Sequence, residues 1–566
     1  MTTTALASLT TTQIAGLNSN QVKALTTLQV AALNTTQLSA LTSTQLGGIS
    51  STQLGALTST QIQGLDSTTL SMLSTAQVKG FSPTSIALLS TTQLAGLTEA
   101  QVAALSTTQV GAFTTAQIGG LSTSQTLALT STEVAALKST QLGALQTTQL
   151  QVLTSTQVGA FTTTAINGLN TTQIATLDTT QISRLSTAAV AALNTTNFSS
   201  LSTAQLGSMT TTQVKVFTST QVASLGTDQL QSLSTEQISQ ISATAMAALK
   251  TTQIAALTSN QVEVLTTTQL KAMTSTEIGA LNETQIAALS STQLAALSTT
   301  QIVTFTSTEI GALNTTQFAG LNSTTLGALT TTQVKGISTN QIGAMTTTQM
   351  AGFKSTAIGA LEQTQLDALS GTLISSISTA ALAGLSTTAL TALTSVQFAA
   401  LTSIQLKSLT TTQLQALTTT QIGALTTTQL SGLSSAQITA LTDTQVSSLT
   451  SEEIAALTTT QIKGLETRDI RDLTTAQLNA LTTGQLAAFT AAQFGSLTST
   501  EIGALLTTQI PGLTATQIKQ LSATQIAGLE TTDISAMTSA QAKAFTTTQI
   551  AAMSTEQKSA LNSLLA

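Results

Sequence analysis

The stretch Leu409-Thr410-Thr411-Thr412-Gln413-Leu414-Gln415-Ala416, followed by two close copies of itself, decides the fold of this chain. The same unit, Leu-Thr-Thr-Thr-Gln-Ile-x-Ala with small variations, recurs about 70 times from end to end. No copy is lengthened or shortened, so the phase that begins at Met1 is still kept at Leu561. This constant register predicts a repeat array in which each unit contacts its neighbours in the same way.

Each unit, here called an octad and numbered from its leading Leu as position 1, contains a signal for the start of a helix. Position 2 is mostly Thr, Ser, Asn or Asp, and position 5 is Gln, sometimes Glu or Asp. These residues form a capping box, while Leu at position 1 and Ile at position 6 form the hydrophobic staple that accompanies it. We therefore predict one short helix per octad, with positions 1 and 6 buried, small position 8 at a close contact and polar position 7 in solvent.

Substitutions in individual octads fit the same phase. Pro83 stands at the first helical position, where its missing N–H costs little. Acids occupy the first helical position or position 5, near the positive end of the helix dipole: Glu99, Glu283, Asp443, Glu133, Glu277, Glu309, Glu501, Asp469 and Asp533. Where Lys or Glu takes position 2, as at Lys138, Lys250 and Glu466, we expect the cap to shift by one residue. Pro511, at position 7, is awkward inside a helix.

A β-solenoid is the competing fold, because Thr, Ile and Val favour strands. The steps between apolar positions 1 and 6 are five and then three residues, and both are odd. A strand needs even steps to keep side chains on one face, whereas a step of three is natural on a helix. The spacing therefore favours an all-α solenoid of very short helices, with the β-solenoid as the alternative.

Such short helices must stack, because isolated helices below ~12 residues are marginal in water. We expect the whole chain, 1–566, to wind into one continuous, elongated solenoid. Lys407, Lys463 and Lys519 recur at intervals of 56 residues, which is compatible with three to four octads per turn but is also explained by segmental duplication. Lys558 occupies an apolar position 6 in the last octad, so 553–566 is predicted to be a C-terminal capping unit, while the first octad has no such feature.

The composition excludes several classes of function. The chain has no His, Cys, Trp or Tyr, and its net charge is only −6 over 566 residues. We therefore expect no enzyme, no catalytic, cofactor-binding or metal-binding residues, no cofactor and no small-molecule substrate. Scattered lysines form no basic stripe, so nucleic acid is not an expected partner. No apolar stretch approaches the ~18 residues of a membrane span, and no N-terminal signal peptide is visible at Met1.

One cluster of charges stands out from this weakly charged background: Glu466, Arg468, Asp469, Arg471 and Asp472. Opposite charges three or four residues apart on a short helix most often form a solvated network of ion pairs. A binding site is the alternative interpretation.

The octads as a group resemble the Thr/Gln-rich Leu-Thr-x-x-Gln-Ile-x-Ala-Leu arrays of large secreted or surface proteins of Gram-negative bacteria. Those proteins are often labelled adhesin-like or haem-utilisation proteins. The resemblance spans essentially the whole chain and implies an extracellular or cell-surface structural role, reached without a visible signal peptide. The haem label does not carry over, because no His, Tyr or Cys is present to ligate the iron.

Three functions follow as hypotheses. The leading one is a structural fibre, sheath subunit or adhesin stalk that self-associates end to end. The alternative is ice binding or ice nucleation through ordered Thr rows, although Leu28, Asp228 and Arg468 interrupt the row at position 4. The third is a scaffold that presents a groove to peptide partners.

Overall fold

Almost every octad contains one short α-helix that begins at position 3, as the capping signal predicts. The computed structural model describes all residues from Met1 to Ala566 and has 68 α-helices, two 3₁₀-helices and no strand. The β-solenoid alternative is therefore wrong, and the all-α solenoid is confirmed. The chain divides into two compact units, Met1–Leu289 and Ser290–Ala566. The expectation of one continuous solenoid over 1–566 stays a prediction.

The α-helices are four to six residues long, except the last. In the first unit they are Thr3–Ala7, Thr11–Ala15, Ser19–Lys23, Thr27–Ala31, Thr35–Ser39, Ser43–Leu46, Ser51–Gly55, Ser59–Gly64, Ser67–Ser71, Thr75–Val78, Pro83–Leu88, Thr91–Ala95, Glu99–Val102, Thr107–Val110, Thr115–Gly119, Thr123–Ala128, Ser131–Ala135, Ser139–Leu142, Thr147–Val152, Ser155–Gly159, Thr171–Thr176, Thr179–Arg184, Thr187–Ala192, Thr195–Ser199, Thr203–Gly207, Thr211–Val214, Ser219–Ser224, Thr227–Gln231, Thr235–Gln240, Ala243–Met246, Thr251–Ala256, Ser259–Glu263, Thr267–Ala272, Ser275–Ile278 and Glu283–Ala287.

In the second unit they are Ser291–Ala296, Thr299–Ile302, Ser307–Ala312, Thr315–Ala319, Ser323–Leu326, Thr331–Gly336, Thr339–Gly343, Thr347–Ala351, Ser355–Ala360, Gln363–Asp367, Gly371–Ser376, Thr379–Leu382, Thr387–Thr391, Ser395–Ala399, Ser403–Lys407, Thr411–Ala416, Thr419–Ile422, Thr427–Ser431, Ser435–Thr439, Asp443–Ser447, Ser451–Ala456, Thr459–Ile462, Thr467–Arg471, Thr475–Ala480, Thr483–Ala488, Ala491–Gly495, Ser499–Gly503, Ala515–Gln520, Ala523–Gly528, Thr531–Ser535, Ser539–Ala542, Thr547–Ala552 and Thr555–Leu565. The 3₁₀-helices are Ile166–Gly168 and Ile510–Gly512.

Two extended residues redirect the chain between successive helices. Leu417 at position 1 has φ −60° and ψ 141°, and Thr418 at position 2 has φ −71° and ψ 156°. The Thr418 side chain accepts a hydrogen bond from the Gln421 amide, which caps the next helix. No residue has a positive φ, so the helices end without the left-handed residue that often terminates helices. The chain therefore bends at every cap.

The cap stays at position 2 even where the residue there lacks a suitable oxygen, so the predicted shift is wrong. The helices after Lys138 and Lys250 begin at Ser139 and Thr251, in the usual phase. The position 5 amide then bonds to the backbone carbonyl of position 2, with an N–O distance of 3.0 Å between Gln141 and Lys138. This backbone bond is present where the side-chain acceptor is missing, and packing of positions 1 and 6 fixes the phase.

Positions 1 and 6 form the core of each unit, as predicted. Ile182 and Leu185 are 0% and 3% exposed, and the same pattern recurs in the second unit at Ile422 and Leu425. The exceptional Pro511 lies in one of the two 3₁₀-helices, where the octad has lost its regular α-helix. Because proline has no N–H, it cannot donate the α-helical bond there.

Helices three octads apart pack against each other within each unit, and small residues allow close approach. A Cβ on Gly384, at position 8, would overlap the carbonyl of Ser355, and one on Gly359 would lie 2.6 Å from the Gly384 oxygen. The same trio recurs as Ser51 with Gly55 and Gly80, Ser139 with Gly143 and Gly168, Ser307 with Gly311 and Gly336, Ser323 with Gly327 and Gly352, and Ser499 with Gly503 and Gly528. The predicted close contact at position 8 is confirmed.

The last helix, Thr555–Leu565, has eleven residues and is longer than the others. Lys558 takes the place of the usual apolar residue at position 6, and its Nζ lies 3.4 Å from the Ala551 carbonyl oxygen. Leu561 is buried at position 1. A capping role for 553–566 stays a prediction.

Candidate functional site

The most specific arrangement in the molecule is a ladder of buried Gln side chains at position 5. Gln341 is 1% exposed, and its two polar atoms serve different parts of the chain. Its Oε1 accepts the Ser338 N–H at 2.7 Å, which completes the capping box of its own helix. Its Nε2 donates to the carbonyls of Ile310 at 2.8 Å and Leu313 at 2.7 Å, 31 and 28 residues earlier. One side chain therefore caps a helix and joins two turns.

The same pair of long-range bonds recurs through both units. Gln149 donates to Ile118 and Leu121, and Gln461 donates to Leu430 and Leu433. The carbonyls that accept these bonds lie at the end of one helix and in the link that follows it. Carbonyls at a helix end lack partners within the helix. The Gln ladder satisfies them and so binds each turn to the preceding one.

The ladder also fixes how many octads make one turn. A bond to the carbonyl 28 residues earlier spans three and a half octads of eight residues. The bond reaches the junction between two earlier octads, the third and the fourth before the octad of Gln341. Helices three octads apart also pack together. One superhelical turn thus takes more than three and fewer than four octads.

Sequence reasoning identified position 5 as a capping residue but missed its second contact. Glu would cap as well as Gln does, and its charge would suit the helix N-terminus better. The preference for Gln therefore signals a partner that needs a hydrogen-bond donor. The preference for an amide over a carboxylate was the signal in the sequence that could have revealed this second contact.

Acids at position 5 interrupt the ladder. Glu133 is 2% exposed, and its Oε2 accepts the Thr130 N–H at 2.6 Å, so the capping function is retained. Its Oε1 is buried and has no hydrogen-bond partner. Burial raises the pKa of Glu133 from its ordinary value, because the charged form loses its solvation.

Asp469 is the second such acid, and it lies in the charge cluster singled out from the sequence. Its Oδ2 accepts the Glu466 N–H at 2.7 Å, while its buried Oδ1 has no partner. Burial is the main cause that raises the pKa of Asp469, and the negative charges of Asp443, Glu466 and Asp472 add to it.

Three members of the cluster, Arg468, Arg471 and Asp472, form a network of exposed ion pairs together with Asp443. Arg468 lies 2.8 Å from Asp443, on the helix three octads earlier, and 3.8 Å from Asp472. Arg471 lies 3.6 Å from Asp472. Because the Arg468 side chain is 63% exposed, such pairs contribute little to stability, about 0–1 kcal/mol each. The arrangement matches the solvated network that the sequence indicated.

The remaining surface is rich in hydroxyl groups. Positions 3 and 4, mostly Thr or Ser, are exposed or partly exposed, as at Thr411 and Thr412. No group of three or more His, Cys, Asp or Glu side chains lies close enough to hold a metal ion. No helix has both the length and the apolar character needed to cross a bilayer.

Comparison with known proteins places the repeat in a described family. A family model described as the ALTTAQ repeat matches more than half of the chain, in segments from both units: 30–67, 86–115, 99–131, 190–227, 222–259, 238–275, 286–323, 323–355, 398–435, 462–499 and 526–563. No curated protein matches the chain.

Proposed function

We propose that this chain, which belongs to the ALTTAQ repeat family, is a non-catalytic structural protein that forms an extracellular fibre, sheath or adhesin stalk. The Gln ladder is the observation that carries the proposal. Within each unit it binds every turn to the preceding one through bonds such as those of Gln213 to Ile182 and Leu185. A fold built in this way serves to span distance rather than to enclose a substrate.

The chemistry of the ladder suits an exposed structural element. Its bonds join neutral side-chain amides to backbone carbonyls, and charged residues make up only 7% of the chain. The cohesion of the stack therefore depends little on salt, which screens charges. It also needs no disulfide bonds, because the chain contains no Cys.

The same packing supports self-association end to end. Each turn presents amide donors on one side and carbonyl acceptors on the other, so the bonds that join turns within a unit could also join copies. The number of contacts would then grow with each added copy, as in a heterologous, open assembly.

Ice binding is supported less well by the geometry. A flat ice-binding face needs equivalent Thr side chains in line on consecutive turns. A turn of more than three and fewer than four octads does not bring equivalent positions into line on consecutive turns. A measured thermal hysteresis would reverse this ranking.

Negative-stain electron microscopy of the purified full chain tests the structural proposal. We expect elongated particles whose length grows with protein concentration as copies join. Compact particles of uniform size at every concentration would contradict it. Protease accessibility of the protein on intact cells of the native organism tests the location: rapid digestion supports surface exposure, and protection until lysis contradicts it.

A further inference from the structure

Two acids on the Gln ladder, Glu133 and Asp469, leave buried oxygens that the protein does not satisfy. Both residues are 2% exposed, and Glu133 Oε1 and Asp469 Oδ1 have no hydrogen-bond partner. Most buried polar atoms in proteins are hydrogen-bonded, so an orphaned oxygen calls for an explanation. The explanation must supply a hydrogen-bond donor or a positive charge, because a carboxylate has no donor of its own.

The octads on either side of Glu133 show which group at position 5 normally bonds to the preceding turn. Gln125, one octad earlier, donates its Nε2 to the Leu94 and Leu97 carbonyls at 3.0 and 2.7 Å. Gln141, one octad later, donates to the corresponding carbonyls of Val110 and Phe113 at 3.2 and 2.7 Å. Because Glu133 Oε2 takes the capping role of the amide oxygen, Oε1 takes the place of the nitrogen, in register with the carbonyls of Val102 and Leu105.

No charged group of the protein neutralises Glu133. The helices packed against its own, Thr107–Val110 and Ser155–Gly159, contain no ionisable side chain. Glu99 and Lys138 stand in nearby octads, but both are exposed, and neither forms an ion pair with Glu133.

The surroundings of Asp469 contain more charge but no partner for its free oxygen. The packed helix Asp443–Ser447 contributes Asp443, and the packed helix Ala491–Gly495 contributes no ionisable group. The two arginines on the same helix as Asp469, Arg468 and Arg471, form ion pairs with other acids, Asp443 and Asp472. Glu466, at the N-cap, adds a further negative charge.

The space available favours a proton over a metal ion. The amide nitrogens of the flanking octads lie 2.7 to 3.2 Å from their carbonyl oxygens. An O–H···O hydrogen bond fits that separation, since its oxygens lie about 2.5–3.0 Å apart. A Ca²⁺ ion placed between two oxygens would need about 2.3–2.6 Å on each side.

We propose that Glu133 and Asp469 each bind a proton from solvent, and that neutral Glu133 donates a hydrogen bond to a backbone carbonyl of the preceding turn. Protonation adds one O–H bond and breaks none, and the proton returns to solvent on release. Neutral Glu133 then stands in for Gln, so its rung of the ladder is closed at low pH and open at high pH. This inference does not depend on the proposed fibre function.

The direction of the pH effect follows from burial. Burial raises the pKa of both groups in the folded chain above the unfolded value, so the folded state keeps the proton to higher pH. The stabilisation is fully present below the unfolded value and is lost as the pH rises through the folded value. The turns at these rungs are thus held most tightly in acid.

Hydrogen exchange of the full chain tests the proposal, with Glu133→Gln as the probe and Glu99→Gln as the matched control. At neutral pH we expect amides of peptides covering 98–113 and 130–137 to exchange about tenfold more slowly in E133Q than in the wild type, because Gln supplies the missing donor. In acid the two should agree. E99Q, which loses the same charge at an exposed site, should match the wild type in the 130–137 peptide. Equal exchange of E133Q and wild type at neutral pH would overturn the proposal.

Infrared spectroscopy detects the bound proton itself. With isotopically labelled Glu, we expect a protonated-acid carbonyl band above the ordinary pKa of Glu in the wild type. The band should be weaker in E133Q, where buried Glu453 still contributes, and unchanged in E99Q. Equal bands in E133Q and the wild type would overturn the proposal. At neutral pH, hydrogen exchange in NaCl, KCl or CaCl₂ should match hydrogen exchange in tetramethylammonium chloride. If one metal ion slows exchange in the wild type but not in E133Q, the result identifies a metal site and overturns the proposal.

Discussion

Replacing Gln341 with Ala removes three side-chain hydrogen bonds at one rung of the ladder. These are the bond from the Ser338 N–H at 2.7 Å and the two bonds to Ile310 and Leu313 at 2.8 and 2.7 Å. At about 0.5–1.5 kcal/mol net for each bond, the local free energy of opening should fall by about 1.5–4.5 kcal/mol. Because a long repeat array need not unfold in one step, a local measurement is required.

Native-state hydrogen exchange read peptide by peptide is the appropriate assay. Since 1.4 kcal/mol corresponds to a factor of ten, we expect peptides that contain 310–314 and 338–345 to exchange at least about tenfold faster in Q341A. Gln341→Glu separates the two roles, because it keeps the capping bond and loses the amide donor; it should fall between wild type and Q341A. Asn340→Ala, at an exposed neighbour, should leave exchange unchanged. Exchange of Q341E equal to wild type at neutral pH would refute the ladder as a stabilising contact.

Three further changes probe other parts of the account. Gly384→Ala should destabilise the second unit by about 1–3 kcal/mol, since its Cβ would overlap the Ser355 carbonyl. Gly343→Ala should be neutral or stabilising, because no atom lies within 4 Å of the added Cβ. Equal shifts in the melting temperature of the two glycine variants would contradict the close contact at Gly384. Lys250→Thr supplies the side-chain cap that its octad lacks, and should raise stability by about 1 kcal/mol in thermal unfolding, whereas a loss would count against a fixed cap position. Burial raises the pKa of Glu453, so its contribution to stability is present in acid and lost as the pH rises. Glu453→Gln should therefore be more stable than the wild type by about 1–3 kcal/mol at neutral pH and equally stable in acid. A difference in stability that stays constant across pH would contradict this prediction.

Local signals in the sequence predict much of this fold. The capping box places the helix start correctly even at unusual residues, since Pro83 and Glu99 both lead their helices. The odd spacing of positions 1 and 6 favours helices over strands and identifies the buried residues. These features depend on contacts within one octad, so the sequence of a single octad is enough to predict them.

The ladder could not be predicted in the same way, because its partners lie 28 to 31 residues apart. Which carbonyl meets the amide of Gln341 depends on the pitch of the superhelix and on how many octads make a turn. The repeat period specifies neither quantity. The cap at Lys138 was mispredicted for a related reason, because packing across turns holds the phase where the local side chain provides no cap. Likewise, the orphaned oxygen of Glu133 becomes visible only once the preceding turn is in place.

An experimental density map that resolves side chains in the second unit tests the central claim most directly. At Gln333, Gln341 and Gln349 the map should show each side chain directed inward. Each amide nitrogen should lie within hydrogen-bond distance of the carbonyls 28 and 31 residues earlier. Side chains at these positions that point to solvent, with no contact to the preceding turn, would contradict it.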